Sequence, residues 1–294
     1  MYSAIAANKR KTWLIMALFI TIIAALGWIF SNLYGNGSYS YLYLAVIASA
    51  VYALIQYFLA AKLAVALNGA HEISKRDNPR LYRTVENLSI AAGTPMPRVY
   101  IIDDPALNAF ATGRDPKHAI VAATTGLLDV MSDTELEAVM AHELSHVRNY
   151  DIRVMMIVFG LVSAIGFIAD LLLRMMWFGG NDRERPSSPI FIVLGIAAAI
   201  LAPIIATLVQ LAVSRRREYL ADSSGALLTR YPEGLADALE KIRQHGSATK
   251  RQNASTAHLF FASPLRGGGI ANLFSTHPPL EDRIAKLRGM DRQL

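Results

Sequence analysis

The hydrophobic pattern of this chain is dominated by four long apolar stretches, at residues 13–30, 41–61, 154–178 and 190–213. A helix needs about 20 apolar residues to cross the hydrocarbon core of a bilayer, so the pattern predicts four membrane-spanning helices. The centres of these stretches hold almost no ionisable side chains, although transporters and proton pumps usually place such groups there. The four helices are therefore expected to be anchors, and a channel or transporter is disfavoured.

The first polar segment, between the second and third stretches, predicts a helix followed by a small sheet. Residues 81–92 have a helical pattern. Three runs rich in β-forming residues follow, separated by Pro and Gly, at residues 98–103, 107–112 and 118–124. A small sheet or hairpin is expected here.

Helices are predicted for the rest of the polar sequence. Ser132 and Glu135 form a Ser-x-x-Glu capping box, which predicts a helix that continues through Val147. After the fourth stretch, residues 232–245 and 278–288 predict two further amphipathic helices. The fold class expected from these patterns is a mainly α membrane protein with a small β-sheet.

Basic residues near the ends of the stretches predict their orientation. Lys9, Arg10 and Lys11 precede the first stretch, whereas residues 31–40 carry no charge. Cytoplasmic loops carry an excess of Lys and Arg, so the N-terminus is expected in the cytoplasm. Four spans then return both polar segments to the same side. A signal peptide is the alternative for the first stretch, but no small-residue cleavage site clearly follows it.

Composition restricts the chemistry. The chain is 53% hydrophobic and 18% charged, and it contains no cysteine, so disulfides and thiolate metal sites are excluded. Any metal must be held by His, Asp or Glu. The net charge of +6 is concentrated beside the apolar stretches, which suits contact with anionic lipid and argues against a nucleic-acid partner.

A His-Glu-x-x-His motif carries the candidate chemistry. His142 and His146 lie four residues apart in the helix that follows the capping box, so both imidazoles project from one face and can share a metal ion. Zn²⁺, one per chain, is the expected cofactor. Glu143 is the expected general base, which takes a proton from the attacking water and passes it to the leaving amine.

A third ligand must come from elsewhere in the chain. The long motif with a third His ten residues after the first is excluded, because Ile152 stands there. Glu218 is the expected third ligand. It lies just past the end of the fourth stretch, and the histidine helix should meet the membrane at the same surface. Asp222, one turn later, is expected to hold the second nitrogen of a ligand histidine. His71, His118, His245 and His258 have no partner spacing and are expected at the surface or in loops.

The chain resembles the HtpX-type family of membrane zinc metalloproteases. The resemblance rests on His142–His146, on Glu218 and Asp222 within Ser-Arg-Arg-Arg-Glu-Tyr-Leu-Ala-Asp, on Asn-Ala-Phe-Ala-x-Gly at residues 108–113 and on Ser-Thr-His-Pro-Pro at residues 275–279. It spans nearly the whole chain. It implies a gluzincin-like α+β catalytic domain on a helical anchor in the cell inner membrane, which cleaves misfolded or damaged membrane proteins at the cytoplasmic face.

The resemblance also implies roles for lesser motifs. Asn108, Ala109, Phe110 and Ala111 would form the edge strand on which a substrate peptide lies extended, although an ordinary strand that turns at Gly113 fits the sequence equally well. His277 would help to stabilise the oxyanion. The parts expected are an anchor (1–67), a first catalytic part (68–153), two further spans (154–213) and a second catalytic part (214–294).

Two other functions remain open at this point. An inactive membrane scaffold could retain zinc for stability, although a purely structural site has no need of the base Glu143. A prenyl-protein protease of the CaaX type shares the metal motif, but four spans are too few for the large chamber of that group.

Overall fold

The computed structural model of the chain describes residues 2–34, 38–178, 215–246, 248–251, 256–262 and 278–291, with the backbone alone for residues 2–4, 29–30, 33–34 and 166–178. The helices are Tyr2–Tyr34 (α1), Ser40–Leu67 (α2), Pro79–Ala92 (α3), Thr125–Val130 (α4), Asp133–Arg148 (α5), Asp151–Phe178 (α6), Arg215–Thr229 (α7), Pro232–His245 (α8) and Leu280–Asp291 (α9). The strands are Ala70–Glu72 (β1), Arg98–Ile102 (β2), Ala109–Thr112 (β3) and Ile120–Thr124 (β4). Short 3₁₀ turns lie at Pro116–His118 and Ala257–Leu259.

Two helices of the described chain are long and apolar enough to cross a membrane, at Ile5–Trp28 within α1 and Ser40–Leu67 in α2. Only 28% and 22% of the residues in their most apolar windows are buried, whereas the core helix of a soluble protein is mostly buried. Trp13, Leu14 and Leu44 are each 64–68% exposed. A continuous apolar surface of this kind indicates contact with lipid.

The predicted spans fall on these elements to different extents. The first two lie within α1 and α2, and the third lies in α6. The fourth, residues 190–213, lies outside the described residues, so the count of four stays a prediction. The Tyr52 hydroxyl of α2 donates to the Gly160 carbonyl of α6, at 2.9 Å. This hydrogen bond joins α6 to α2 in the region where the exposed apolar side chains of α2 lie.

The small sheet that the sequence predicted is confirmed, with one strand more than expected. Its strand order is β1-β2-β4-β3, in which β2 and β4 are parallel and the two outer pairs are antiparallel. The added strand β1 has three residues, too few for the period-2 pattern that reveals strands in a sequence. As the last strand in the order, β3 presents one of its edges to the rest of the protein.

The histidine helix α5 is the centre of the polar part of the protein. The predicted capping box is present, because the Ser132 hydroxyl accepts from the Glu135 amide while the Glu135 carboxylate accepts from the Ser132 amide. Leu136, Val139 and Met140 are fully buried. The sheet packs on one side of α5, and α3, α7 and α8 surround the rest. The helix therefore carries the polar residues of the motif into the protein interior.

Loss of the capping box is expected to destabilise this part of the protein. Ser132→Ala removes the acceptor for an otherwise unpaired amide at the start of α5, at a cost of about 1 kcal/mol. The expected result is a thermal midpoint lower by about 2–4 °C for the full chain in detergent. Thr84→Ala is the control, because the Thr84 hydroxyl returns to the Arg80 carbonyl inside α3. Equal midpoints for wild type and Ser132→Ala would contradict the capping role.

Candidate metal centre

The helix places the three polar residues of the motif together in the interior. His142, Glu143 and His146 are 1%, 2% and 5% exposed. Because four residues are close to one helical turn, the two imidazoles stand one above the other, with Nε2 atoms 3.1 Å apart. The predicted shared face of the two histidines is therefore present.

The predicted third ligand lies opposite the two histidines. Glu218 on α7 holds Oε2 3.8 Å from Nε2 of His142 and Oε1 3.7 Å from Nε2 of His146. One ligand atom from each of the three residues lies within 4.8 Å of the others. Gly225, two turns along α7, allows this approach: a Cβ there would lie 3.0 Å from the backbone nitrogen of His142, so a larger residue would push α7 away from α5.

The distances fit a metal ion. Nitrogen and oxygen ligands lie about 2.0–2.1 Å from a tetrahedral zinc, which puts them about 3.3 Å from one another. The two Nε2 atoms are 3.1 Å apart, and each lies 3.7–3.8 Å from a different oxygen of Glu218, so the carboxylate is slightly too distant for one oxygen to complete the set. Small shifts of the Glu218 carboxylate are enough to complete the geometry, so the residues present suit a zinc ion.

The charge of the buried cluster also suits a dication. Among the described residues, four carboxylates are at most 4% exposed around the histidines, those of Glu143, Asp151, Glu218 and Asp222. Two buried guanidiniums, Arg217 and Arg283, lie among them. The carboxylates outnumber the guanidiniums by two, and without a metal a proton on His146, whose pKa is raised to about 9, offsets part of this excess. Burial of unpaired charge is costly, and a divalent cation would balance the cluster.

The residue predicted to support a histidine is in place. Oδ1 of Asp222 lies 2.9 Å from Nδ1 of His142, so the predicted contact is present. Arg283 of α9 donates to both oxygens of Asp222, at 2.9 and 2.7 Å. Burial would raise the pKa of Asp222, but the Arg283 charge and the contact with His142 hold it below its usual value. Burial in turn lowers the pKa of His142 to about 4, so this ring is neutral, as a metal ligand must be.

The second histidine has its own carboxylate, which the sequence reasoning did not assign. Nδ1 of His146 lies 3.1 Å from Oδ2 of Asp151, the first residue of α6. Burial opposes the protonation of His146, but the hydrogen bond to Asp151 and the charge of Glu218 raise its pKa to about 9. Without a metal this ring therefore carries a proton, which a bound dication would displace. In both histidines Nδ1 faces a carboxylate and Nε2 faces the shared space, the arrangement usual for metal-binding imidazoles.

Glu143 lies between the metal cluster and the sheet. Burial raises its pKa to about 7, while the charges of His146 and Arg283 and the nearby backbone of Ala111 in β3 act to lower it. A carboxyl with a pKa near neutrality can both accept and release a proton at physiological pH, and a dication beside it would favour the ionised form. Its position is therefore suitable for a general base.

The predicted substrate strand lies against a segment of the same chain. Phe260 forms an antiparallel bridge with Phe110, and the Phe261 amide donates to the Ala109 carbonyl at 2.8 Å. The Asn108 side chain donates to the Ala262 carbonyl at 2.8 Å and accepts from its amide at 3.1 Å. The outer edge of β3 is thus paired with residues 260–262 of the same chain, and substrate binding on this edge stays a prediction.

Other predicted residues have mixed outcomes. His277 lies outside the described residues, so its role stays a prediction. The placement of His258 at the surface or in a loop is wrong as to exposure: it is 4% exposed, and its Nε2 lies 3.0 Å from the Met155 carbonyl. Arg283 was missed because its partner Asp222 is 61 residues away in sequence, and no local pattern joins them.

The chain is similar to known proteases along most of its length. The sequence model of peptidase family M48 matches residues 75–291. A protein named "Protease HtpX homolog" from Tropheryma whipplei (strain Twist) is 54% identical over 293 residues, covering 100% of this chain and 99% of its own. A protein of the same name from Streptococcus pneumoniae (strain Hungary19A-6) is 44% identical over 302 residues, covering 99% of this chain and 100% of its own.

A solved structure shares the fold. The crystal structure of S. mikatae Ste24p aligns with 98% of this chain and 67% of its own length, with a TM-score of 0.52. Its sequence identity of 20% limits the comparison to the fold. The family match over most of the chain and the two full-length relatives show that this chain belongs to peptidase family M48 and is a metalloprotease.

Proposed function

We propose that this metalloprotease holds one Zn²⁺ between His142, His146 and Glu218 and uses Glu143 as the general base in the hydrolysis of peptide bonds. Its proposed substrates are misfolded or damaged proteins of the membrane that anchors it. The observation that carries this proposal is the set of three ligand atoms, from buried residues, within 4.8 Å of one another. The metal-binding part of the proposal rests on described residues alone.

The proposed mechanism follows from the surroundings of each group. When bound, zinc supplies Lewis acidity, which makes a peptide carbonyl more electrophilic and a nearby water more acidic. Glu143 accepts a proton from the attacking water and delivers it to the leaving amine. Asp222 and Asp151 keep both histidines in the tautomer that directs Nε2 toward the ion. Burial of the whole cluster strengthens these electrostatic effects.

The edge of β3 is the proposed site of the substrate backbone. This strand packs against α5, and the Ala111 backbone lies close enough to Glu143 to affect the pKa of that carboxyl, so a peptide paired with Ala109 would lie near the base. Residues 260–262 now make these pairings, and a substrate on this edge would have to displace them. Recognition through backbone hydrogen bonds would tolerate many sequences, as clearance of misfolded proteins requires.

Four membrane spans with a cytoplasmic N-terminus and cytoplasmic catalytic parts complete the proposal. Support comes from the lipid-type surfaces of α1 and α2 and from the exposed basic residues Lys9, Arg10 and Lys11 at the start of α1. These residues would lie in the cytoplasm beside anionic headgroups. His277 is proposed to stabilise the oxyanion.

Two variants separate the roles of base and ligand. Glu143→Gln should bind zinc with wild-type stoichiometry and lose casein cleavage by about 10²–10⁴-fold, because an amide cannot accept the proton. Glu218→Ala should weaken zinc binding by more than about 100-fold, because loss of a ligand should cost more than loss of a residue that only hydrogen-bonds a ligand. The measurements are metal content by mass spectrometry and cleavage by the full chain in detergent.

The matched control is Glu137→Gln, the same change at an exposed position of α5, which should behave as wild type. Equal cleavage by wild type and Glu143→Gln would favour the inactive scaffold. Cleavage of a farnesylated peptide but not of an unfolded membrane protein would favour the prenyl-protein protease instead.

The absence of cysteine allows a direct test of orientation. Ser38→Cys and Lys117→Cys each introduce one thiol at an exposed position. The first lies between α1 and α2, and the second lies in the turn between β3 and β4. A membrane-impermeant maleimide should label Ser38→Cys in intact cells and Lys117→Cys only after the membrane is permeabilised. The reverse pattern would overturn the proposed orientation.

The proposed backbone pairing predicts an alternating effect of N-methylation. A peptide cleaved by the enzyme is remade with one backbone amide methylated at a time. Successive amides of a strand point to opposite edges, so cleavage should fall sharply at alternate positions on each side of the scissile bond. A uniform effect along the peptide would show that substrate does not bind as a strand on β3.

A further inference from the structure

The metal ligand His146 depends on a carboxylate that is itself held from the other end of the chain. Oδ2 of Asp151 faces Nδ1 of His146, and Oδ1 accepts a hydrogen bond of 2.7 Å from the side-chain amide of Asn8. Asn8 belongs to α1 and is 143 residues away in sequence. A continuous contact therefore runs from the N-terminal helix through Asp151 to the metal cluster.

The surroundings of Asn8 suit this contact. It is 4% exposed, although Lys9, Arg10 and Lys11 directly after it are exposed. Its amide nitrogen carries two hydrogens, and it donates one to Asp151 and one to the Asn149 carbonyl, at 2.9 Å. Asn8 thus bridges Asn149, which follows the histidine helix α5, and Asp151, which begins α6.

The backbone at this junction is held in an unfavourable conformation. Tyr150, between the two residues that Asn8 binds, has a φ of 60°, a left-handed value that is costly for a bulky side chain. Lys9 lies 4.7 Å from the centre of the Tyr150 ring. Two consecutive residues of α1 therefore contact three consecutive residues of the junction, and tertiary contacts of this kind can maintain the strained turn.

The nearby basic group does not replace Asn8. The guanidinium of Arg217 lies near Asp151, but its Nε is 4.0 Å from Oδ1 of Asp151, beyond hydrogen-bond distance. The second histidine differs in this respect, because its carboxylate, Asp222, receives two hydrogen bonds from Arg283. The side-chain amide of Asn8 therefore donates the hydrogen bond that orients Asp151, as the guanidinium of Arg283 orients Asp222.

We propose that Asn8 is a positioning residue for the metal site: it fixes Asp151, which fixes the ring of His146, and so makes the N-terminal membrane helix part of the catalytic apparatus. The inference rests on the proposed function, in which His146 is a zinc ligand. Its consequence is that zinc affinity depends on the attachment of α1 to the α5–α6 junction as well as on the ligands.

The test is the dissociation constant for Zn²⁺, measured by competition with a chelator on the full chain in detergent. Asn8→Ala removes one hydrogen bond to a buried carboxylate and should weaken zinc binding about 5- to 10-fold. Asn8→Asp keeps the shape but opposes the Asp151 charge, so its loss should be larger. Thr12→Val is the control, one turn along the buried face of α1. It removes a hydroxyl that donates to the Asn8 carbonyl within the same helix, and it should bind zinc as wild type does.

A double variant distinguishes positioning from general stability. If Asn8 acts through the Asp151 carboxylate, Asn8→Ala should have little further effect on zinc affinity in the Asp151→Asn background. The Co²⁺ absorption spectrum, sensitive to ligand geometry, should change in Asn8→Ala and stay unchanged in Thr12→Val. Thermal midpoints of each variant show that the chain remains folded.

The outcomes are separable. Wild-type zinc affinity in both Asn8 variants, or the same loss in Thr12→Val as in Asn8→Ala, would overturn the inference and leave the proposed function intact. Full persistence of the Asn8→Ala loss in the Asp151→Asn background would overturn it as well. Absence of stoichiometric zinc in the wild type would instead overturn the proposed function, and the inference with it.

Discussion

The excess of buried carboxylates over buried guanidiniums around α5 and α7 is the constraint on which the rest of the site depends. Four carboxylates and two guanidiniums surround two histidines in the interior, where unpaired charge is expensive. Gly225 lets the two helices approach closely enough to create this cluster. A dication would balance the excess of carboxylates in place of protons, so metal binding and the packing of α7 on α5 are expected to stabilise each other.

This constraint explains why the metal site draws on distant parts of the chain. Each histidine of the site has a carboxylate beside its second nitrogen, and each of these carboxylates accepts hydrogen bonds from a distant residue. For His142 the donor comes from the C-terminal helix α9, through Arg283. For His146 it comes from the N-terminal helix α1, through Asn8. The two ends of the described chain therefore meet at the same small cluster, and the membrane anchor is joined to the chemistry by direct hydrogen bonds.

The sequence predicts the residues whose relation is local and misses those whose relation is tertiary. The two histidines and the capping box could be recognised because a helix fixes spacings of three and four residues. Glu218 could be placed only because the ends of two apolar stretches meet one membrane surface. Asp151 follows His146 by five residues, and the end of α5 between them hides the contact from any periodic pattern. Asn8 and Arg283 meet their partners only after the whole chain has folded.

X-ray absorption at the zinc edge of the purified full chain tests the central claim most directly, because it reports which atoms surround the ion. The account predicts two imidazole nitrogens at about 2.0–2.1 Å together with carboxylate and water oxygens in four-fold coordination. A first shell made of oxygen alone, with no imidazole scattering, would contradict it, as would coordination that stays unchanged when Glu218 is replaced by alanine.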